Sequence, residues 1–306
     1  MTDEEMLAET RAFNAGLERV LAALPPVYTL PPEQTRRERR AGEGIFPAPV
    51  FLPEARWETI QGRGGEIPLR IVEAAEPRGA YLHFHGGGWV LGAADLQDPG
   101  LKAAADATGL TMISVDYRLA PEHPYPAAPD DAEDAALWLL ENGSGRLVLG
   151  GESAGAHLAA VTLVRLRDRH GIDVRAAFAG ANLVFGPFDL TGTPSRHLWG
   201  DRELVLSDPE MGWFADCYLP GMIDRDRRKP DVSPLFAALH DLPPALFTCG
   251  TLDPLLDDTL FMEARWRTAG NATKLSVYEE AVHGFVAFDL EVARRSRAEQ
   301  YAFIAG

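Results

Sequence analysis

The amino-acid sequence predicts an α/β fold: a central, mostly parallel sheet flanked by helices, with a helical cap over its C-terminal edge. Three observations carry the prediction. From residue 80 onward, short apolar runs alternate with helical patterns, the rhythm of a parallel sheet covered on both faces. Glycine-rich stretches follow two of those runs, at 85–89 and 151–155, at the edge where such sheets bind ligands. The rhythm stops between residues 186 and 230, and a strand-to-strand connection of that length points to a functional element such as a lid.

Taken in order, residues 1–23 read as an amphipathic helix, with Met6, Phe13, Leu17, Val20, Leu21 and Leu24 at helical spacing and Pro25-Pro26 as the stop. A charged second helix is expected over 33–41. Strands are expected at 57–61 and 67–73, divided by the Gly62-Arg63-Gly64-Gly65 turn. The alternation then gives strands at 79–85, 111–116, 146–150, 174–183, 245–250 and 274–280. Helices are expected at 99–108, 127–142, 154–169, 254–269 and 289–304, with Gly143 ending the second of them. The interrupted stretch holds Gly186-Pro187, Thr193-Pro194, Asp208-Pro209 and Leu219-Pro220-Gly221, with one helix over 209–218. The division that follows is an N-terminal cap segment at 1–45, a core at 46–185 and 231–306, and a cap insertion at 186–230.

Of the 306 residues, 46 % are hydrophobic, enough for a sizeable core and too many for general disorder. The 45 acidic and 29 basic residues leave a formal charge of −16. Such a surface repels nucleic acid and anionic membranes and favours neutral or cationic small partners. No apolar run reaches the length of a membrane span, and the Met-Thr-Asp-Glu-Glu-Met start lacks the basic and apolar regions of a signal peptide. Cys217 and Cys249 are the only cysteines, without a CxxC, so a reducing, cytoplasmic setting is expected. Cys249 lies in an apolar run and reads as a buried small hydrophobe.

The chemistry concentrates in four places. Gly151-Glu152-Ser153-Ala154-Gly155 has the form G-x-S-x-G, between an apolar strand and a helix, the setting in which that motif presents a serine on a sharp turn. Any glycine-rich turn before a helix would look similar, so the context matters more than the motif. His85-Gly86-Gly87-Gly88-Trp89 follows another strand; its glycines leave backbone N–H groups uncovered, as an oxyanion hole requires. The N–H groups of Gly86, Gly87 and Ala154 are the candidate donors, and His85 reads as a structural pin for the loop. Asp253 follows a strand end and His283 follows the next strand. The order Ser153, Asp253, His283 is that of the α/β-hydrolase fold and of a catalytic triad. Asp257 and Asp258 are rival acids, but lie one turn into a helix.

These residues resemble a known family, the bacterial hormone-sensitive-lipase-like (family IV) esterases of the α/β-hydrolase superfamily. The resemblance runs from about residue 50 to the C-terminus. It rests on the 85–89 and 151–155 motifs, on the stretch from Asp116-Tyr117-Arg118 to Ala128, on Asp253-Pro254-Leu255 and on His283-Gly284-Phe285. It implies a carboxylesterase for short- to medium-chain acyl esters, working through an acyl-enzyme on Ser153, with a capped core and without cofactor or metal. It also implies a role for Gly86 and Gly87 at the oxyanion. An amidase, formamidase or lactonase would use the same triad. A non-catalytic ligand receptor is the remaining alternative; such proteins tend to lose the catalytic histidine, and His283 is present. A homo-oligomer is compatible with the sequence. Within the resemblance, Asp116, Arg118 and Glu122 are expected to form one buried polar network bracing the oxyanion loop. Two positions depart from the family: Ala156 replaces the usual glycine, and Glu152 the usual aspartate, so Glu152 is expected to reach the pocket. Trp89, Phe285, Val286, Trp213 and Phe214 are further pocket candidates, followed by Phe13 and Trp199.

Overall fold

The computed structural model describes residues 1–306. Eight strands form one sheet: β1 (Arg56–Gly62), β2 (Gly65–Val72), β3 (Gly79–Phe84), β4 (Thr111–Val115), β5 (Arg146–Glu152), β6 (Gly180–Val184), β7 (Ala245–Leu252) and β8 (Thr273–Val282). Their order is β1-β2-β4-β3-β5-β6-β7-β8. The β1–β2 and β2–β4 pairs are antiparallel and all others are parallel. The central strands are apolar without alternation because both faces are covered; every residue of β6 is buried.

Three helices, α4 (Ala127–Asn142), α5 (Ala154–His170) and α10 (Leu256–Thr268), share the larger core with one face of the sheet. The other face carries α3 (Asp98–Thr108) and α11 (Glu291–Ala305), packed on each other around Tyr81, Leu101, Met112, Val148 and Ile304. Because the parallel strands run the same way, the loops after β3, β5, β7 and β8 emerge at a single edge. Residues of α2 (Pro32–Arg40), α7 (Pro194–Trp199) and α8 (Asp208–Tyr218) face the cavity at that edge, α1 (Asp3–Leu21) packs on β8 and α11, and α9 (Asp224–Arg227) joins α8 through Arg227 and Asp216. A Thr2–Glu5 capping box opens α1, and Asn14 Nδ2 donates to the Glu280 carbonyl at 2.8 Å, tying this helix to the end of β8.

The chain departs from the sequence reading in three places. Residues 174–183 are not one strand: α6 (Val174–Ala177) forms first because the Asp173 side chain caps it, accepting from Ala176 N, and β6 begins only at Gly180. The helix expected from 254 begins at Leu256, since the carboxylate of Asp253 takes the Leu255 N–H in a turn before it. The interruption contains two further short helices, α7 and α9, the first signalled by Thr193-Pro194 in the N-cap and N1 positions.

A buried ion pair fastens the antiparallel edge to α3. Arg70 donates through Nε to Asp98 Oδ1 at 2.9 Å, and Asp98 Oδ2 also accepts from Leu52 N at 2.8 Å. Asp98→Ala would strand the Arg70 charge and is expected to cost about 3–5 kcal/mol, read as a lowered denaturation midpoint. Retained stability would show that water reaches the guanidinium.

Candidate active site

Ser153 sits between the last residue of β5 and the first of α5, with φ 56° and ψ −120°. An L-residue held there costs on the order of 1–3 kcal/mol, so the surroundings must enforce it. They do so by close approach. A Cβ at Gly151 would lie 2.0 Å from the Phe84 carbonyl oxygen, and one at Gly155 only 1.8 Å from it. Glycine at both positions therefore lets the elbow fold down onto the end of β3. Ala156, where the family has glycine, is accommodated by Gly186, at which a Cβ would meet that of Ala156 at 2.9 Å.

The loop after β8 brings His283 Nε2 to 3.0 Å from Ser153 Oγ. The loop after β7 brings Asp253 Oδ2 to 2.9 Å from His283 Nδ1. A carboxylate only accepts, so Nδ1 carries the ring proton and the Nε2 lone pair faces the serine hydroxyl. Asp253 and His283 are 2 % and 7 % exposed, so this chain is largely shielded from water. The Phe185 ring packs 4.7 Å from the imidazole. The rival acids are engaged elsewhere. Asp257 accepts from Ser195 N, while Asp258 accepts from Phe188 N, Asp189 N and Thr193 Oγ1. Both anchor the start of the 186–230 connection.

Gly86 lies against the elbow: a Cβ there would be 3.5 Å from Ser153 Cβ and 3.0 Å from the Glu152 carbonyl oxygen. The N–H groups of Gly86 and Gly87 donate to nothing in the protein. That of Ala154, first in its helix, has no intrahelical acceptor. Three amide donors near the serine hydroxyl are thus unspent.

The brace of this loop differs from the expected one. Asp116, Arg118 and Glu122 do not form one network. Asp116 accepts from Ala94 N; Arg118 pairs with Asp131 on α4; Glu122 pairs with Arg36, and that pair is partly exposed. Their side chains diverge because Asp116 follows β4 while Glu122 lies in a turn that meets Arg36 of α2. Arg36, from α2, donates to the carbonyls of Val90 and Ala120, so Glu122 acts on the loop only through it. The close contacts come from aromatic residues. Tyr117 donates its hydroxyl to the His85 carbonyl and stacks on the His85 ring at 4.2 Å. Trp89, at φ 61°, stacks on Tyr218 at 4.5 Å and donates Nε1 to His157 Nδ1. His157 in turn donates Nε2 to the Val232 carbonyl, and burial holds its pKa down at about 4, keeping the ring neutral. No local pattern marks His157, inside α5, as the residue that completes this brace.

A cavity of about 640 Å³ opens on Ser153 and His283, within the size range of small-molecule sites. Trp89, Glu152, Phe214 and Val286 line it, as expected. Phe285 and Trp213 do not. Phe285 is buried beneath the site against Phe185 and Tyr278, and Trp213 packs beside Phe214. Phe13 and Trp199 also stay outside the lining, in the cluster around α1 and β8. Arg39 from α2 and Glu210 from α8 also face the cavity, and no local pattern marks residues so far apart in the chain. Burial pushes the Glu210 carboxyl up to about 7, against the pull of Arg39 and His283.

A strained serine under an oriented imidazole, on this sheet, defines the α/β-hydrolase class. The comparisons give the particular family. Residues 81–287 match the family described as alpha/beta hydrolase fold, and the chain belongs to it, in the bacterial hormone-sensitive-lipase-like branch. The chain is 34 % identical to carboxylic ester hydrolase LipN of Mycobacterium tuberculosis over 263 residues, 82 % of this chain and 69 % of that protein. It is 33 % identical to esterase LipI of the same organism, covering 97 % and 95 %. Among solved structures, a hyperthermophilic esterase from Pyrobaculum calidifontis superposes with a TM-score of 0.84 at 32 % identity, covering 96 % and 97 %. The protein is an enzyme of the carboxylic ester hydrolase class. No helix is long and apolar enough to cross a membrane.

Proposed function

We propose that the protein hydrolyses short- to medium-chain acyl esters through an acyl-enzyme on Ser153. His283 accepts the hydroxyl proton as Ser153 Oγ attacks the acyl carbon. Asp253 holds the tautomer and stabilises the imidazolium. The oxyanion is met by the N–H groups of Gly86, Gly87 and Ala154, each contributing roughly 100- to 1000-fold in rate. The alcohol leaves with the proton from His283, and water repeats the sequence on the acyl carbon. Residues 1–45 and 186–230 act as the cap over a core of 46–185 and 231–306, in keeping with the helices above the sheet edge. The enzyme works in the cytoplasm, which suits its two free cysteines.

The observation that supports this reading most is the unbroken relay from Asp253 through His283 to Ser153, at 2.9 and 3.0 Å. A panel of aryl esters of graded acyl length tests it. Turnover is expected to peak among short to medium chains, and the matched anilide to react far more slowly. A peak on long-chain triglyceride emulsions, or an anilide that outruns its ester, would overturn the assignment.

A further inference from the structure

One limb of the cavity is walled by apolar side chains but floored by polar ones. It follows the sheet face that carries α3 and α11, past Leu101, Ala104 and Met112. On its floor lie Tyr81, His83, Glu152, Asn182 and Gln300. Nothing in the Ser153 relay uses them.

Glu152 is the charged member of that floor, one residue before the serine. Its Oε2 accepts from His83 Nε2 at 2.8 Å, and His83 Nδ1 is 2.8 Å from Ser114 Oγ. With Nε2 as the donor, Nδ1 accepts the Ser114 hydroxyl, so each atom of the chain has one role. His83 and Ser114 are buried, which fixes the carboxylate in place. Its other oxygen, Oε1, meets no donor from the protein, although the side chain is 28 % exposed, and it lines the cavity. The neighbouring amide offers no donor either: Asn182 Nδ2 donates to Gln300 Oε1 at 3.2 Å and to the Tyr81 hydroxyl at 3.5 Å, while its Oδ1 has no partner. Arg297, which also reaches the cavity, gives its Nη1 to the Val286 and Phe288 carbonyls. An anchored carboxylate oxygen that receives no donor from the protein therefore faces the limb.

We infer that Glu152 binds a hydrogen-bond donor, a hydroxyl or a protonated amine, carried on one limb of the ester substrate. The inference rests on the esterase reading above. A donor pairing with a partly buried carboxylate stabilises the complex more than an alkyl group of equal length does, and the bare oxygen needs no rearrangement to receive it. Neutral alkyl esters would leave Oε1 facing apolar atoms, at the cost of its hydration.

Three esters of equal chain length test this: one ending in methyl, one in hydroxyl and one in ammonium, with the terminus placed on the acyl chain in one set and on the alcohol in another. Wild type is expected to favour the donor-ended esters in kcat/KM by roughly ten- to a hundredfold in one set. In Glu152→Gln the ammonium preference is expected to collapse towards unity, while part of the hydroxyl preference survives on the amide oxygen. Glu152→Asp, which keeps the charge but shortens the reach, should fall between. Equal wild-type rates for all three termini in both sets would overturn the inference. So would a Glu152→Gln enzyme that loses the same factor on every ester, since that marks a purely structural prop for His83. The wild-type ratios need no variant, so poor folding of Glu152→Gln leaves the test intact. Calorimetric binding of the matching non-hydrolysable ketones reports the same preference without turnover. A protein that binds the donor-ended ketones tightly yet hydrolyses no ester would sink the esterase reading and spare this one.

Discussion

Ser153→Ala is expected to lower kcat on a short-chain aryl ester by roughly a million-fold, with KM little changed. The reason is chemical: without Oγ nothing attacks the acyl carbon, and His283 has no proton to take. The cavity walls and the free N–H groups of Gly86 and Gly87 remain, so a residual acceleration of roughly a thousand- to ten-thousandfold over water should persist. The loss should not deepen when His283 is also removed, because the two act as one unit. A Ser153→Ala enzyme that keeps a tenth of the activity would mean that another nucleophile, or a directly activated water, carries the reaction. Folding is not at risk from this change. Ser153 is the strained residue of the elbow, with φ 56°, and alanine can occupy the same turn while Gly151 and Gly155 keep their close approach to Phe84.

Asp253→Asn has the second largest expected effect, a fall in kcat of about ten-thousandfold. The shape of the side chain is kept, and in one of its two orientations Leu255 N can still donate to its carbonyl oxygen. The position facing Nδ1 is where the argument turns. If the amide nitrogen takes it, that group donates, Nδ1 must accept, and the ring proton moves to Nε2, pointing at Ser153 instead of receiving from it. If the amide oxygen takes it, the tautomer survives, but the imidazolium formed during attack loses its counter-charge. Either outcome leaves a folded protein with a misdirected or unsupported base. Parallel measurements on Asp257→Asn and Asp258→Asn sharpen the test. The former should stay within severalfold of wild type, and the latter should show its loss in stability, since Asp258 accepts from Phe188 N, Asp189 N and Thr193 Oγ1. Activity abolished in Asp257→Asn and preserved in Asp253→Asn would transfer the role.

The parts of the molecule that were legible in the sequence share a physical cause. Ser153, Asp253 and His283 each follow the C-terminal end of a parallel strand, and parallel strands deliver those ends to one edge. Residues 130 apart in the chain could therefore be expected to meet. Glycine at 151 and 155 was readable because close backbone approach excludes every other residue there. What escaped was set by packing between elements rather than along them. The stretch 174–183 is apolar enough for a strand, and only the Asp173 cap makes its start helical. Asp116, Arg118 and Glu122 sit close in sequence, yet each finds a different partner: Ala94 N, Asp131 and Arg36. Phe285 is two residues from His283, yet it packs against Phe185 and joins the core. Cavity walls built from α2 and α8, Arg39 and Glu210 among them, depend on how those helices pack around the cavity.

The central claim is that the Ser153 hydroxyl is the atom that acquires the acyl group. It is tested most directly by reacting the enzyme with a stoichiometric aryl phosphonate and locating the adduct by peptide mass spectrometry. One phosphonyl group per chain is expected, on Ser153 within the peptide that spans Gly151 to Gly155, with activity lost in proportion and labelling abolished in His283→Ala. An adduct on any other residue that tracks the loss of activity, or full activity remaining after Ser153 is completely modified, would contradict the account.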